Sequence, residues 1–240
     1  MNTIGKIIRE SHTPTTDTVY YYPLNGNYKD HSLNNLPDAT DNGCEFVMDA
    51  KVGNMIKFDK ENQKFLTLPS RTNFLNNLYH KTISYILLVQ NIYSEQSAIL
   101  NLGEASGFWS SCAIIFNKRH PVYSIISIKP CIYMDARGSN SNNSVEIPIC
   151  SNKPVLITQT IQAGETGNEM RVCNYVDGRL IKKTGINHRI SNLYNNNSFL
   201  GKALWEGQTY YSDVILAEFI LEGRIWTEIE VSDYARSIGF

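Results

Sequence analysis

Short apolar runs rich in Val, Ile, Tyr and Phe alternate along the chain with clusters of Gly, Asn, Asp and Pro. Residues that fit a pleated surface gather in the runs. Residues that tolerate tight or left-handed backbone gather between them. Residues 153–183 show the pattern most plainly. A β-branched run at 154–161 is followed by a Gly-bearing break at 163–168, and then by a second run at 170–182 that is interrupted by Asp177-Gly178. Asp-Gly between two β-prone runs signals a hairpin, because both central residues of a type I′ turn need positive φ. A two-residue loop pairs Val176 with Arg179 and Tyr175 with Leu180. The spacing therefore predicts an antiparallel sheet.

The same reading predicts strands at 18–24, 45–48, 55–58, 64–69, 81–90, 97–102, 109–116, 122–128, 131–135 and through much of 199–223. Residues 81–90 end apolar on both faces, the pattern of a central strand covered on both sides. Residues 25–43, 137–144 and 185–198 are polar and turn-rich, and are predicted as loops. Only residues 227–236 read as helix, with Thr227 as N-cap and Glu228 and Glu230 in the first turn. Turn signals about every 8–12 residues, without repeats, heptads or βαβ alternation, predict an all-β sandwich or barrel. Residues 1–17 are polar and read as an N-terminal arm or linker, and residues 18–240 as a single domain.

Composition narrows the picture. Of the 240 residues, 42% are hydrophobic and 19% charged, which is a globular balance. A net charge of -1 argues against a nucleic-acid partner, which wants a basic face. The five cysteines, Cys44, Cys112, Cys131, Cys150 and Cys173, are widely spaced with no C-x-x-C, so neither a disulfide framework nor a zinc site is expected. No apolar run approaches the ~18 residues of a membrane span. The first residues lack the apolar core of a secretory signal. These features predict folding in a reducing cytosol.

Four segments, in order, resemble one family. Tyr22-Pro23-Leu24-Asn25-Gly26-Asn27 through Asp30 resembles the opening strand and loop of concanavalin A-like and laminin G-like jelly rolls, the lectin-glucanase superfamily. Thr82-Ile83-Ser84-Tyr85 is similar to one of their strands, and residues 175–181 to one of their hairpins. Phe199-Leu200-Gly201, residues 214–220 and the turn bearing Glu228 are similar to their closing segment. The order and spacing agree over residues 18–240. Asp213 stands where that family usually has Gly, and Trp226 where it usually has Leu. The resemblance implies two curved antiparallel sheets packed face to face.

It also frames the candidate chemistry. Glycosidases on such sandwiches need two carboxylates flanking the scissile bond. Glu228, Glu230 and Asp233 come nearest to that pattern, but they read as helix-capping and surface residues. Asp135 and Glu146 flank a polar loop without a partner pattern. His12, His31, His80, His120 and His188 are scattered, with no metal or triad motif. No catalytic residue is assigned, and the chain is expected not to be an enzyme. Related sandwiches hold a structural Ca²⁺ in edge loops. Asn27, Asp30, Asp38 and Asp41 lie in a suitable loop, although such residues are also simply good turn formers. Glycan-binding relatives stack sugars on exposed aromatics. That makes Trp109, Trp205, Tyr210 and Tyr211 candidate platforms, and 137–144, with Arg137 and Asn140, a candidate contact loop.

The expected function is a binding or adhesion module that recognises a glycan. A lectin-like sandwich with free cysteines and no export signal is reconciled by display on the virion of a bacteriophage or other virus, as a homo-oligomeric fibre, tail or capsid-decoration component anchored through its arm. Two alternatives are carried: a glycoside hydrolase or lyase on the same scaffold, and an assembly protein that binds only other virion subunits. Asn142 and Asn196 sit in N-x-S sequons but are not expected to be glycosylated.

Overall fold

The period-two runs become strands in the computed structural model, which describes residues 12–70, 80–89, 96–103, 111–117, 125–128, 130–133, 147–150, 153–163, 170–186, 198–205 and 208–240. In chain order these are β1 (Thr18–Tyr22), β2 (Thr40–Asp41), β3 (Glu45–Asp49), β4 (Gly53–Lys57), β5 (Leu66–Leu68), β6 (His80–Leu88), β7 (Gln96–Gly103), β8 (Ser111–Asn117) and β9 (Ile125–Ile128). They continue with β10 (Pro130–Tyr133), β11 (Ile147–Cys150), β12 (Val155–Ala163), β13 (Met170–Val176), β14 (Arg179–Ile186), β15 (Ser198–Leu200), β16 (Lys202–Trp205), β17 (Gln208–Tyr211) and β18 (Ile215–Glu222), and end in α1 (Glu228–Ser237).

The larger sheet runs β14-β13-β12-β6-β18-β4-β3, with β1 also paired to β18. The smaller runs β10-β8-β7-β15-β5-β2. Two ribbons, β9 with β11 and β16 with β17, complete the set. The sheets pack face to face. Ile83, Tyr85 and Leu87 of β6 and Phe219 and Leu221 of β18 share one core with Leu66 and Leu68 of β5, Leu100 and Leu102 of β7, and Leu200 of β15. The fold is thus the all-β two-sheet sandwich that the turn spacing predicts.

Residues 81–90 read as apolar on both faces because the larger sheet is covered on both. Odd residues of β6 enter the inter-sheet core. Ile86 and Leu88 enter a second core, with Tyr21, Ile220, Val231, Tyr234, Ala235 and Trp226, beneath α1. The helix forms where its cap allows. Thr227 Oγ1 accepts from the Glu230 N–H at 3.2 Å, and Glu230 Oε2 accepts from the Thr227 N–H at 2.7 Å. This reciprocal pair satisfies donors that the first turn leaves open. Burial alone would raise the Glu230 pKa. Hydrogen bonds from Thr227 and Arg224 outweigh it and hold the carboxyl below its usual range.

The hairpin forms in the predicted register, Val176 with Arg179 and Tyr175 with Leu180. Asp177 and Gly178 have φ of 48° and 76°, as a type I′ turn requires. Its tip also packs under the helix. A Cβ at Gly178 would lie 2.6 Å from the Ala235 Cβ and 3.3 Å from the Ser232 Cα. Glycine here serves both turn and packing.

Other expectations shift at their edges. The strand expected at 18–24 ends at Tyr22, because Pro23 has no N–H to donate and Leu24 turns left-handed at φ 51°. The stretch 199–223 breaks into four strands. Residues 12–17, read as part of an arm, pack onto the larger sheet through His12. Among the described residues, no helix is long and apolar enough to cross a membrane.

Candidate functional site

The site is built where β15 leaves the smaller sheet. Leu200 points into the inter-sheet core, so its neighbour Phe199 faces the opposite way, outward. Leu66 and Leu68 point inward across the pairing with β15, which leaves Phe65 and Thr67 on the same outer face. Phe65 and Phe199 meet edge to face, with centroids 5.6 Å apart.

After Leu200 the chain must turn sharply. Gly201 does this at φ 80°, donating its N–H to the Ile99 carbonyl and accepting from the Ser212 N–H. A Cβ here would come 2.5 Å from the Phe58 ring. The turn launches the β16–β17 ribbon, in which Lys202 pairs with Tyr211. Tyr211 thereby reaches the Phe65 ring, at 5.9 Å between centroids. Its hydroxyl donates to Gln63 Oε1 at 3.2 Å.

Gln63 sits in a tight turn, where Asp59 Oδ1 accepts from the Asn62 N–H and the Asp59 carbonyl from the Lys64 N–H. Asp213 Oδ1 accepts from the Lys60 N–H at 2.8 Å. Asp213 is therefore an anchor for the turn that carries Gln63.

Lys202 lies at the centre. Its Nζ is 4.1 Å from the Phe65 centroid, 4.5 Å from Phe199 and 5.8 Å from Tyr211, within cation–π range of each ring. It is half-buried, and burial lowers its pKa. Among the described residues it has no carboxylate partner. Lys64, between Gln63 and Phe65 in the chain, pairs with Glu45.

A second basic group on aromatic rings lies across the molecule. His12 Nε2 donates to Glu222 Oε1 at 2.8 Å. Its ring lies 5.4 Å from those of Tyr21 and Trp226 and 6.1 Å from that of Tyr234. The fully buried Glu222 also accepts from the Thr18 hydroxyl at 2.6 Å and faces the Arg224 guanidinium at 3.8 Å. Glu218, buried on the same strand, accepts from the Tyr21 and Tyr234 hydroxyls. Here carboxylates, rings and His12 seal one another.

The structure sorts the predicted site residues. Tyr211 is in the patch. Tyr210 pairs with Ala203, so as the next residue on the strand it takes the opposite face. Trp205 ends β16, paired with Gln208. Trp109, Arg137 and Asn140 lie outside the described residues, as do Asp135, Glu146, His120, His188, Asn142 and Asn196. Sequence reasoning missed Phe65, Phe199, Lys202 and Gln63. The available signal was the inward Leu66 and Leu68, whose alternation leaves Phe65 outside.

The loop named as suitable for Ca²⁺ spends its side chains internally. Asp30 accepts from the Tyr21 and Ser32 N–H groups and the Ser32 hydroxyl, Asn27 from the Lys29 N–H, and Asp41 from the Cys44 N–H. Among the described residues, no group of three or more His, Cys, Asp or Glu is placed to hold a metal ion. Burial, then Asp41, pushes the Cys44 thiol up to about 12 and the Tyr28 hydroxyl up to about 12. The Trp226 ring lies against His12.

No family model and no curated protein matches the sequence. Solved structures do. Domain 4 of AbnA, a GH43 extracellular arabinanase from Geobacillus stearothermophilus, in complex with arabinotriose, superposes with TM-score 0.60 at 14% identity, covering 91% of this chain and 98% of that one. The fold is a jelly-roll-like β-sandwich, consistent with the concanavalin A-like resemblance in the sequence. The binding domain of botulinum neurotoxin DC in complex with SialylT gives TM-score 0.59 at 12% identity, covering 94% of this chain and 52% of that one. Trypanosoma rangeli sialidase in complex with the inhibitor DANA gives 0.61 at 18%, covering 95% of this chain but 34% of that one. At these identities the likeness is one of fold.

It corrects one expectation. The chain was expected not to be an enzyme on the strength of its scaffold and the placing of its acids. The same jelly roll occurs in a sialidase chain and in a domain of a GH43 arabinanase. The scaffold therefore gives no ground for excluding catalysis.

Proposed function

We propose that the chain is a glycan-recognising module and that the patch around Lys202 is its binding surface. One observation carries the reading: the half-buried rings of Phe65 and Tyr211 stand beside the exposed amide of Gln63 and the Lys202 ammonium on the outer side of the smaller sheet. Aromatic rings offer a sugar's apolar face a stacking surface, and amide and ammonium groups hydrogen-bond its oxygens. Structures of this fold with arabinotriose and with SialylT support the reading. The test is a glycan array run with the wild-type chain and Tyr211→Ala. Binding by the wild type that Tyr211→Ala abolishes supports the proposal. Silence of the wild type across the array contradicts it and favours a surface that binds only protein subunits.

Display on a virion, as an oligomeric fibre, tail or capsid-decoration component, belongs to the same proposal. Cys44 and Cys173 are free thiols, which supports folding in a reducing compartment before display. Detection of the chain in purified virions, together with an oligomer by light scattering, supports this placement. A monomer absent from virions contradicts it.

A further inference from the structure

We infer that the Lys202 patch selects a sugar that carries a carboxylate; this rests on the glycan-recognising reading of the same site. Three rings surround Lys202 Nζ at 4.1, 4.5 and 5.8 Å, and they stabilise its charge without offering a lone pair to its N–H groups. Among the described residues, no carboxylate or carbonyl accepts from it. An ammonium that is partly removed from water has lost hydrogen bonds that the rings do not replace, so an anion that accepts from it would offset the rest of the desolvation cost. The lowering of its pKa by burial is the same cost in another form.

The second donor has the same bias. Gln63 spends its Oε1 on the Tyr211 hydroxyl. Its amide NH₂ has no acceptor among the described residues, and the side chain is exposed. The patch thus presents two donor groups beside one tyrosine: the –NH₃⁺ of Lys202, 5.8 Å from the Tyr211 centroid, and the –NH₂ of Gln63, whose Oε1 accepts from the Tyr211 hydroxyl. A carboxylate only accepts, so it complements both at once, and hydrogen bonds between charged partners are the stronger kind. A neutral sugar stacked on Tyr211 would leave the ammonium without its counter-ion. A pyranose carrying a carboxylate fills both requirements: its ring covers the aromatic edge while its charge meets Lys202.

The experiment titrates the full chain by calorimetry with matched probes: 3′-sialyllactose against lactose, trigalacturonate against its methyl ester, and a sulfated disaccharide. At least one carboxylated probe is expected to bind about tenfold tighter than its neutral counterpart, roughly one charge-assisted hydrogen bond. Lys202→Met, which keeps the stem but removes the charge, is expected to erase that preference. Lys182→Met, which removes the same charge from exposed β14 on the other sheet, is expected to retain it. Thermal unfolding of both variants checks that each is folded. Equal binding of acid and ester, unaffected by Lys202→Met, overturns the carboxylate preference and leaves glycan recognition standing. Binding of the sulfated probe alone also overturns it, in favour of a different anion. Absence of binding to every probe, with an array that is silent as well, overturns both readings.

Discussion

Two basic side chains rest on aromatic rings on opposite sides of the sandwich, and their surroundings differ in one respect. His12 lies among Tyr21, Trp226 and Tyr234 with Glu222 at 2.8 Å, and the assembly is closed over by α1 and residues 224–226. Lys202 lies among Phe65, Phe199 and Tyr211 with no acid beside it among the described residues. In the first, His12 and the Thr18 hydroxyl hydrogen-bond Glu222 Oε1 and the Arg224 guanidinium faces Oε2, so the buried charge is balanced from within the chain, although Oε2 and the Trp226 indole N–H make no hydrogen bond among the described residues. The second has rings but, among the described residues, no counter-ion, and is half-buried. An aromatic surround therefore does not by itself mark a binding site. The missing anion marks it.

Substitutions can break this contrast in order of size. Trp226→Ala removes the lid of the closed cluster, opens a cavity beside buried Glu222, and should cost about 3–5 kcal/mol in urea unfolding. Glu222→Gln removes the charge that Thr18, His12 and Arg224 share, and should cost about 2 kcal/mol in the same measurement. His12→Ala should cost about 1–2 kcal/mol, losing one hydrogen bond and its ring contacts while Thr18 still caps Glu222. Lys202→Met should change stability by less than about 0.5 kcal/mol, because no internal ion pair is lost. If Lys202→Met proved as costly as Glu222→Gln, the two regions would be alike and the open site would be a structural lock.

The smallest effect is a pH dependence. The folded-state pKa of Lys202 lies below the ordinary lysine value of 10.5. Between the two, the unfolded chain binds more protons than the folded one, so this group makes stability rise with pH through that window. The difference in unfolding midpoint between wild type and Lys202→Met, followed as pH rises toward 10.5, should move in the wild type's favour. A flat difference would mean that the ammonium is not desolvated. Binding of a carboxylated sugar should weaken over the same window, as the charge that attracts it is lost.

Features set by neighbouring residues were legible in the chain. Asp177-Gly178 dictates its own turn, Thr227 caps the helix that follows it, and Ile86 and Leu88 announce a covered second face. The site was legible only in part, because it is made by long-range pairing. Phe65 and Phe199 meet only because β5 and β15 are neighbours, and Lys202 reaches them only because Gly201 turns the chain against Phe58. Tyr211 could be named as an aromatic of the right kind. Its neighbour Tyr210 looked equivalent, and only the strand register separates the two. His12 gave no sign of its role, since its carboxylate lies 210 positions away.

Chemical-shift mapping of the folded chain against a bound glycan tests the central claim most directly. Perturbations concentrated at Gln63, Phe65, Phe199, Lys202 and Tyr211 are the predicted result. Perturbations confined to the His12, Trp226 and Tyr234 cluster, with the Lys202 patch silent, would contradict it.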